Sequence, residues 1–209
     1  MKSMLLMFFT YIVLGNCLKC GNSPKKDIDW NRVRPGKWYD VVDIPHTDYP
    51  LGCWEAKEVV PTAVGVLFRY YNYVGGETPV FLTEQNFIRQ KRGVYRISGV
   101  DSLLAAYDHL SDESNKSNKK KIKNQSNDFA ANDWTFFTDY ETYLITITCH
   151  NGGWEAFVMF STPQITVAQL QNVSKVLVDH GWISPVMSLK NECLNKGQQD
   201  FDASATVLK

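Results

Sequence analysis

Cys149 and His150 are the first pair in this sequence that could do covalent chemistry, as thiol nucleophile and imidazole base. Their adjacency argues against it. Thr142 to Cys149 reads as a strand, and neighbouring residues of a strand point to opposite faces, so the ring would not reach the sulfur. His46, His109, His150 and His180 show none of the spacings of zinc ligands, so no metal is expected. Neither G-x-S-x-G nor a glycine-rich phosphate loop occurs. What the chain offers is alternation. If Cys53 points to one face, Trp54, Ala56 and Glu58 share the other. Val66, Phe68, Tyr70 and Asn72 fall together, opposite Arg69, Tyr71 and Tyr73. If Cys149 points outward, Leu144, Thr146 and Thr148 point inward. Aromatic and aliphatic side chains with a few hydroxyl and amide groups suit non-covalent enclosure of a greasy molecule, so the expectation is a binding protein, not an enzyme.

Such faces need strands to hold them, and the sequence is written in strands. Lys37 to Ile44, Gly52 to Val60 and Val64 to Tyr73 alternate, with a turn expected at Pro61-Thr62 and a hairpin at Gly75-Gly76. Pro79 to Arg89 and Val94 to Tyr107 follow. After a polar stretch come Trp134 to Phe137, Thr142 to Cys149 and Trp154 to Ser161, the last two joined by Asn151-Gly152-Gly153. Short strands with tight turns and no intervening helix predict an antiparallel up-and-down barrel of eight strands, an all-β fold. One helix follows: Thr166 and Gln169 make a capping box, Val167, Leu170, Val173 and Leu177 share a face, and Gly181 stands past its end. It should pack on the barrel wall. Asn22 to Arg34 reads as a polar arm crossing the barrel's closed end, and 195–209 as a tail.

Met1-Lys2-Ser3 followed by the apolar run Met4 to Leu14 reads as a secretory signal peptide over 1–17, leaving one domain over 18–209. No later run reaches the roughly 18 apolar residues of a membrane span, so no stable insertion is expected. With 22 basic and 22 acidic residues the chain has no general pull toward nucleic acid. The lysines at 116, 119, 120, 121 and 123 sit in a stretch, 111–130, with almost nothing to bury, which reads as a flexible loop. Removing Cys17 with the signal leaves Cys20, Cys53, Cys149 and Cys193, which in an oxidising compartment suggest two disulfides; three pairings are open. Asn115, Asn124 and Asn172 begin glycosylation sequons.

The order of these features resembles a known family. Gly36-Lys37-Trp38 opening the first strand, Cys20 before it, Cys53 beginning the second strand, Thr138-Asp139-Tyr140 in a late turn, Cys149, a helix and Cys193 are similar to lipocalins of the apolipoprotein D and insect bilin-binding group. The resemblance spans nearly the whole chain after the signal. It implies bridges Cys20–Cys149 and Cys53–Cys193, Trp38 plugging the closed end of the barrel, and a cavity lined by Trp54, Ala56, Glu58, Val66, Phe68, Tyr70, Asn72, Leu144 and Thr146. The implied ligand is a small hydrophobic molecule such as a fatty acid, sterol, retinoid or tetrapyrrole; a protein receptor met by the open-end loops is the alternative. No cofactor is implied. Some lipocalins of this kind hold haem through a histidine on the third strand, where this chain has Tyr70-Tyr71-Asn72-Tyr73. The family's arginine after the last strand is missing at Phe160-Ser161-Thr162-Pro163, so Arg32 or Arg34 would have to replace it, or Trp38 goes without a cation.

Overall fold

A computed structural model describes residues 20–44, 53–73, 81–98, 130–150, 153–183 and 188–189. Its strands are β1 (Trp38–Ile44), β2 (Cys53–Thr62), β3 (Gly65–Tyr73), β4 (Phe81–Lys91), β5 (Val94–Ser98), β6 (Asp133–Thr138), β7 (Tyr143–His150), β8 (Gly153–Phe160) and the two-residue β9 (Ser188–Leu189). Each of β2 to β7 pairs antiparallel with the next, β8 pairs with β1, and β1 pairs back to β2, so eight strands close into a ring. The expected barrel is present. Closure leaves the eight ring strands without a long open edge, and β9 lies against Val42 and Asp43 of β1.

Two hydrophobic bodies hold the ring. Inside it, Trp38, Ala56, Val66, Phe68, Phe87, Tyr95, Phe136, Leu144 and Met159 are buried together. Outside it, the alternate residues Tyr39, Ile145, Ile147, Ala156, Val158 and Phe160 form a wall, and helix α1 (Val167–Asp179) lays Val173 and Leu177 on that wall. Burying two such side chains contributes roughly 1.5–3 kcal/mol each. The capping box is as expected: Thr166 accepts from the Gln169 amide and Gln169 reaches back to the Thr166 N–H at 2.8 Å.

The arm crosses the end of the ring where β2 meets β3 and β4 meets β5. Asp27 accepts the Gly93 N–H at 2.7 Å and pairs with Arg89 at 3.0 Å. Gly93 turns there with φ +68 and its α-carbon faces Pro24, where a β-carbon would come within 2.7 Å of a carbonyl oxygen. At its start the arm is bonded covalently: Cys20 and Cys149 form a disulfide with Cα atoms 6.0 Å apart. Cys193 lies outside the described residues, as do Gly75-Gly76, the 1–17 segment, Asn115 and Asn124.

Three expectations change. Pro61 is the penultimate residue of β2, opposite Val66, and the turn is Ala63-Val64; so close to the strand's end its missing N–H breaks no long ladder. A 3-10 turn (Trp30–Arg32) interrupts the arm, capped by Asp29 accepting from the Asn31 N–H. β9 falls between the helix and the expected tail, where no strand was expected.

Candidate ligand site

At the closed end the ring is full. Trp30, carried in by the 3-10 turn, stands edge-on to Phe68, Tyr95 and Phe136 at 5.9, 5.9 and 5.1 Å between ring centres. Phe87 meets Phe68 and Phe136 edge-on in the same layer. Phe68, Phe87 and Phe136 have no exposed surface. A buried aromatic layer of this density leaves no room for a ligand.

Above that layer the inward face differs. Trp54 and Tyr70 meet edge-on at 5.5 Å, and Trp134 and Phe157 stack at 6.4 Å. Trp54, Phe157 and Glu155 point inward yet are only partly buried, so they border space that solvent reaches. Ala56, Tyr70, Leu144 and Thr146 lie on this face and are buried. Burial, and after it the charge of Asp40, pushes the Tyr70 hydroxyl well above its ordinary pKa, keeping it a neutral donor.

Two acids reach this face through a bulge. In Asp40-Val41-Val42-Asp43 simple alternation would place the carboxylates on opposite sides. The β1–β8 register shifts between Asp40 and Val42, so Val41, Val42 and Ile44 all join the outer wall, leaving Asp40 and Asp43 inward, 5% and 3% exposed. Thr146, Phe157 and Asp43 then form one row across β7, β8 and β1. No signal in the sequence marks that bulge, and these acids were not foreseen as inward residues.

A second bulge corrects an expected site residue. The β2–β3 register shifts between Ala56 and Glu58, turning Glu58 outward and Val59 inward against Phe68. Glu58 instead pairs with Arg69 at 2.7 Å on the outer surface, in a chain continued by Glu84 at 2.8 Å. The structure also removes Val66 and Phe68 from the open half, since both are sealed in the closed-end layer. Asn72 falls opposite Trp54 in register. Cys149 is held in its disulfide and is therefore no thiol nucleophile. Among the described residues no three His, Cys, Asp or Glu side chains are grouped to hold a metal, and no helix is long and apolar enough to cross a membrane. Asn172 is exposed on α1, as glycan attachment would require.

No protein-family model matches the sequence, and no curated protein matches it. Solved structures do. The cockroach major allergen Per a 4 superposes with a TM-score of 0.52 at 13% identity, over 83% of this chain and 93% of that one. The fold is the lipocalin-type barrel. Siderocalin Ex-FABP, described as functioning through dual ligand specificities, aligns with a TM-score of 0.44 at 12% identity, over 74% of this chain and 91% of that one.

Two of the signatures behind the resemblance, Gly36 with Trp38 and Thr138-Asp139-Tyr140, meet at the closed end of this lipocalin-type barrel. Gly36, at φ +107, releases the arm into β1, and Trp38 is fully buried, its indole donating to the Arg34 carbonyl at 3.3 Å. The Arg34 amide donates to the Tyr140 carbonyl at 2.8 Å, tying that turn to the arm. Thr138 accepts the Tyr140 N–H at 2.8 Å and donates to the Tyr143 carbonyl at 2.6 Å. Asp139 accepts from the amides of Glu141, Thr142 and Tyr143 and from the Thr142 hydroxyl. Burial raises the Asp139 pKa, but those hydrogen bonds outweigh it and the net shift is downward. The missing strand-end arginine is replaced only in part. Arg34 donates to the Ser161 carbonyl at 3.4 Å, while Arg32 lies over Tyr140, 4.3 Å from its ring centre, and not over Trp38.

Proposed function

We propose that this chain is a secreted lipocalin, of the group that includes apolipoprotein D and the bilin-binding proteins, which binds one small, partly apolar molecule in the open half of its barrel and carries or sequesters it without turnover. One observation carries the reading: inward-facing Trp54 and Phe157 keep accessible surface above a sealed aromatic floor of Phe68, Phe87 and Phe136. A cup with a closed base and a reachable aromatic wall is what non-covalent enclosure needs. The Cys20–Cys149 bridge supports the subgroup and an oxidising compartment, and the apolar run behind Lys2 supports export. Filling of the closed half restricts the ligand's size, so a short or compact molecule is favoured over one running the barrel's whole length.

Fluorescence titration with N-phenyl-1-naphthylamine, a compact probe uncharged at neutral pH, tests the reading. Saturable one-to-one binding is expected, weakened about tenfold by Trp54→Ala with the melting temperature held within a few degrees. Non-saturable binding, or equal affinity in the variant, would contradict it.

A further inference from the structure

One hydroxyl inside the barrel is left over. Thr146 is 4% exposed, and its buried side-chain oxygen has no hydrogen-bond partner among the described residues. Thr148, the next inward threonine of β7 toward the open end, is fully buried as well, but its hydroxyl donates to the Asp133 carbonyl at 3.4 Å. The deeper of the two is therefore the unpaired one. Buried hydroxyls are nearly always paired, and leaving one without a partner is costly.

The rings around Thr146 account for its burial. It lies in register between Phe136 of β6 and Phe157 of β8, with Leu144 beyond it toward the closed end. Phe136 and Leu144 have no exposed surface and belong to the packed interior. Phe157 is only partly buried, and it stacks on Trp134, which stands opposite Thr148. Strands β6 and β8 are two spacings of about 4.8 Å apart, with β7 between them. The centres of the Trp134 and Phe157 rings are nevertheless only 6.4 Å apart. The two rings thus lean together across β7 and roof the Thr146 hydroxyl. Its floor is fixed, and the partly exposed Phe157 is the neighbour with room to move.

We propose, on the basis of the carrier reading above, that Thr146 is a cryptic polar subsite beneath the Trp134–Phe157 roof, taking the uncharged hydroxyl or carbonyl end of a compact apolar ligand. Phe157 swings toward the open half, the polar end passes down to Thr146, and the apolar body rests against Trp54, Trp134 and the displaced ring. Thr146 donates to a carbonyl, or both donates to and accepts from a hydroxyl. Pairing recovers what the free protein loses by burying that group alone, so the polar end adds affinity. A carboxylate or ammonium gains no such advantage, because one neutral hydroxyl among Phe136, Leu144 and Phe157 does not repay the desolvation of a charge. The ligand is held polar end down, its apolar body toward the mouth.

Competition against bound N-phenyl-1-naphthylamine on the whole protein tests this with 2-naphthalenemethanol, its hydrocarbon counterpart 2-ethylnaphthalene and its charged counterpart 2-naphthoate. The alcohol should bind at least as tightly as the hydrocarbon, although it is the more strongly hydrated of the two, and at least tenfold tighter than the naphthoate. Thr146→Val should weaken the alcohol about tenfold, leave the hydrocarbon within twofold, and leave the melting temperature equal or higher, because it removes a buried unpaired hydroxyl. Thr146→Ser, which keeps the hydroxyl, should hold the alcohol within about threefold of the native protein. The comparison of the three naphthalenes needs no variant: hydrocarbon binding tenfold or more tighter than the alcohol, or naphthoate binding as tightly as the alcohol, overturns the subsite. Unchanged alcohol affinity in Thr146→Val overturns it too, the hydroxyl then serving an ordered water only. In each of those cases N-phenyl-1-naphthylamine still binds and the carrier reading stands; failure of that probe to bind overturns both.

Discussion

The indole N–H of Trp30 donates to the Tyr95 hydroxyl at 3.3 Å, so a residue of the N-terminal arm is hydrogen-bonded to β5 inside the barrel. The arm thus crosses the closed end and also contributes a ring to the interior. Burial raises the Tyr95 pKa, and the Trp30 bond opposes that shift. Trp30→Ala would open a large hole under Phe68 and Phe136. We expect a loss of about 3–5 kcal/mol in urea unfolding, with Trp30→Phe costing less. A loss below about 1 kcal/mol would mean that the closed end is not filled by this ring.

The Cys20–Cys149 bridge closes a loop with a sequence separation of 129. Chain entropy then gives about 4–5 kcal/mol for the bridge. Cys20→Ser with Cys149→Ser should lower the unfolding free energy by an amount of that order. Because the bridge anchors the arm, the double variant should also increase protease cleavage within residues 22–34. Unchanged stability would show that the arm is held by Trp30 and Asp27 alone.

Glu58 tests the β2 bulge. Its partner Arg69 is on the surface, and hydrogen bonds to Glu84 and Glu58 raise the guanidinium pKa. Glu58→Gln should change stability by less than about 1 kcal/mol, as exposed pairs do, and leave N-phenyl-1-naphthylamine binding within twofold. A tenfold loss of binding would put Glu58 back inside the barrel.

These bulges show where the sequence stops being legible. Leu144 and Thr146 face inward as alternation predicts because the β7–β8 register runs unbroken from Tyr143 to His150. Val66, Phe68 and Tyr70 do so because β3 has unbroken pairing with β4. Alternation fails at Lys57 and at Val41, where one extra residue reverses every face beyond it and no glycine or proline announces the change. Trp30 was illegible for another reason. It sits among polar residues, and its burial comes from contacts with residues 38 to 106 positions away along the chain, to Phe68, Tyr95 and Phe136. The helix needed no such knowledge, since its cap and apolar face are local.

Acid and alkali should act through different groups. Asp139 has a lowered native pKa, so its contribution is full above the unfolded value near 3.8 and is lost as pH falls through the native one. Tyr70 and Tyr143 have raised values, chiefly from burial, so their contribution is full below about pH 10 and is lost as pH rises through the native values. Thermal melts should therefore be flat between about pH 5 and 9 as far as these groups are concerned, falling on both sides. Tyr70→Phe should soften the alkaline fall; an unaltered fall would place the Tyr70 hydroxyl in water.

The central claim is that the open half of the barrel is the working cavity and the closed half is core. The chain has six tryptophans, all of them described, and each indole N–H gives its own signal in a nitrogen–proton correlation spectrum. Titration with N-phenyl-1-naphthylamine should shift Trp54 and Trp134 while Trp30, Trp38, Trp154 and Trp182 stay in place. Shifts confined to Trp154 and Trp182, which pack together at 5.5 Å on the outer wall, or movement of Trp30 and Trp38 alone, would contradict it.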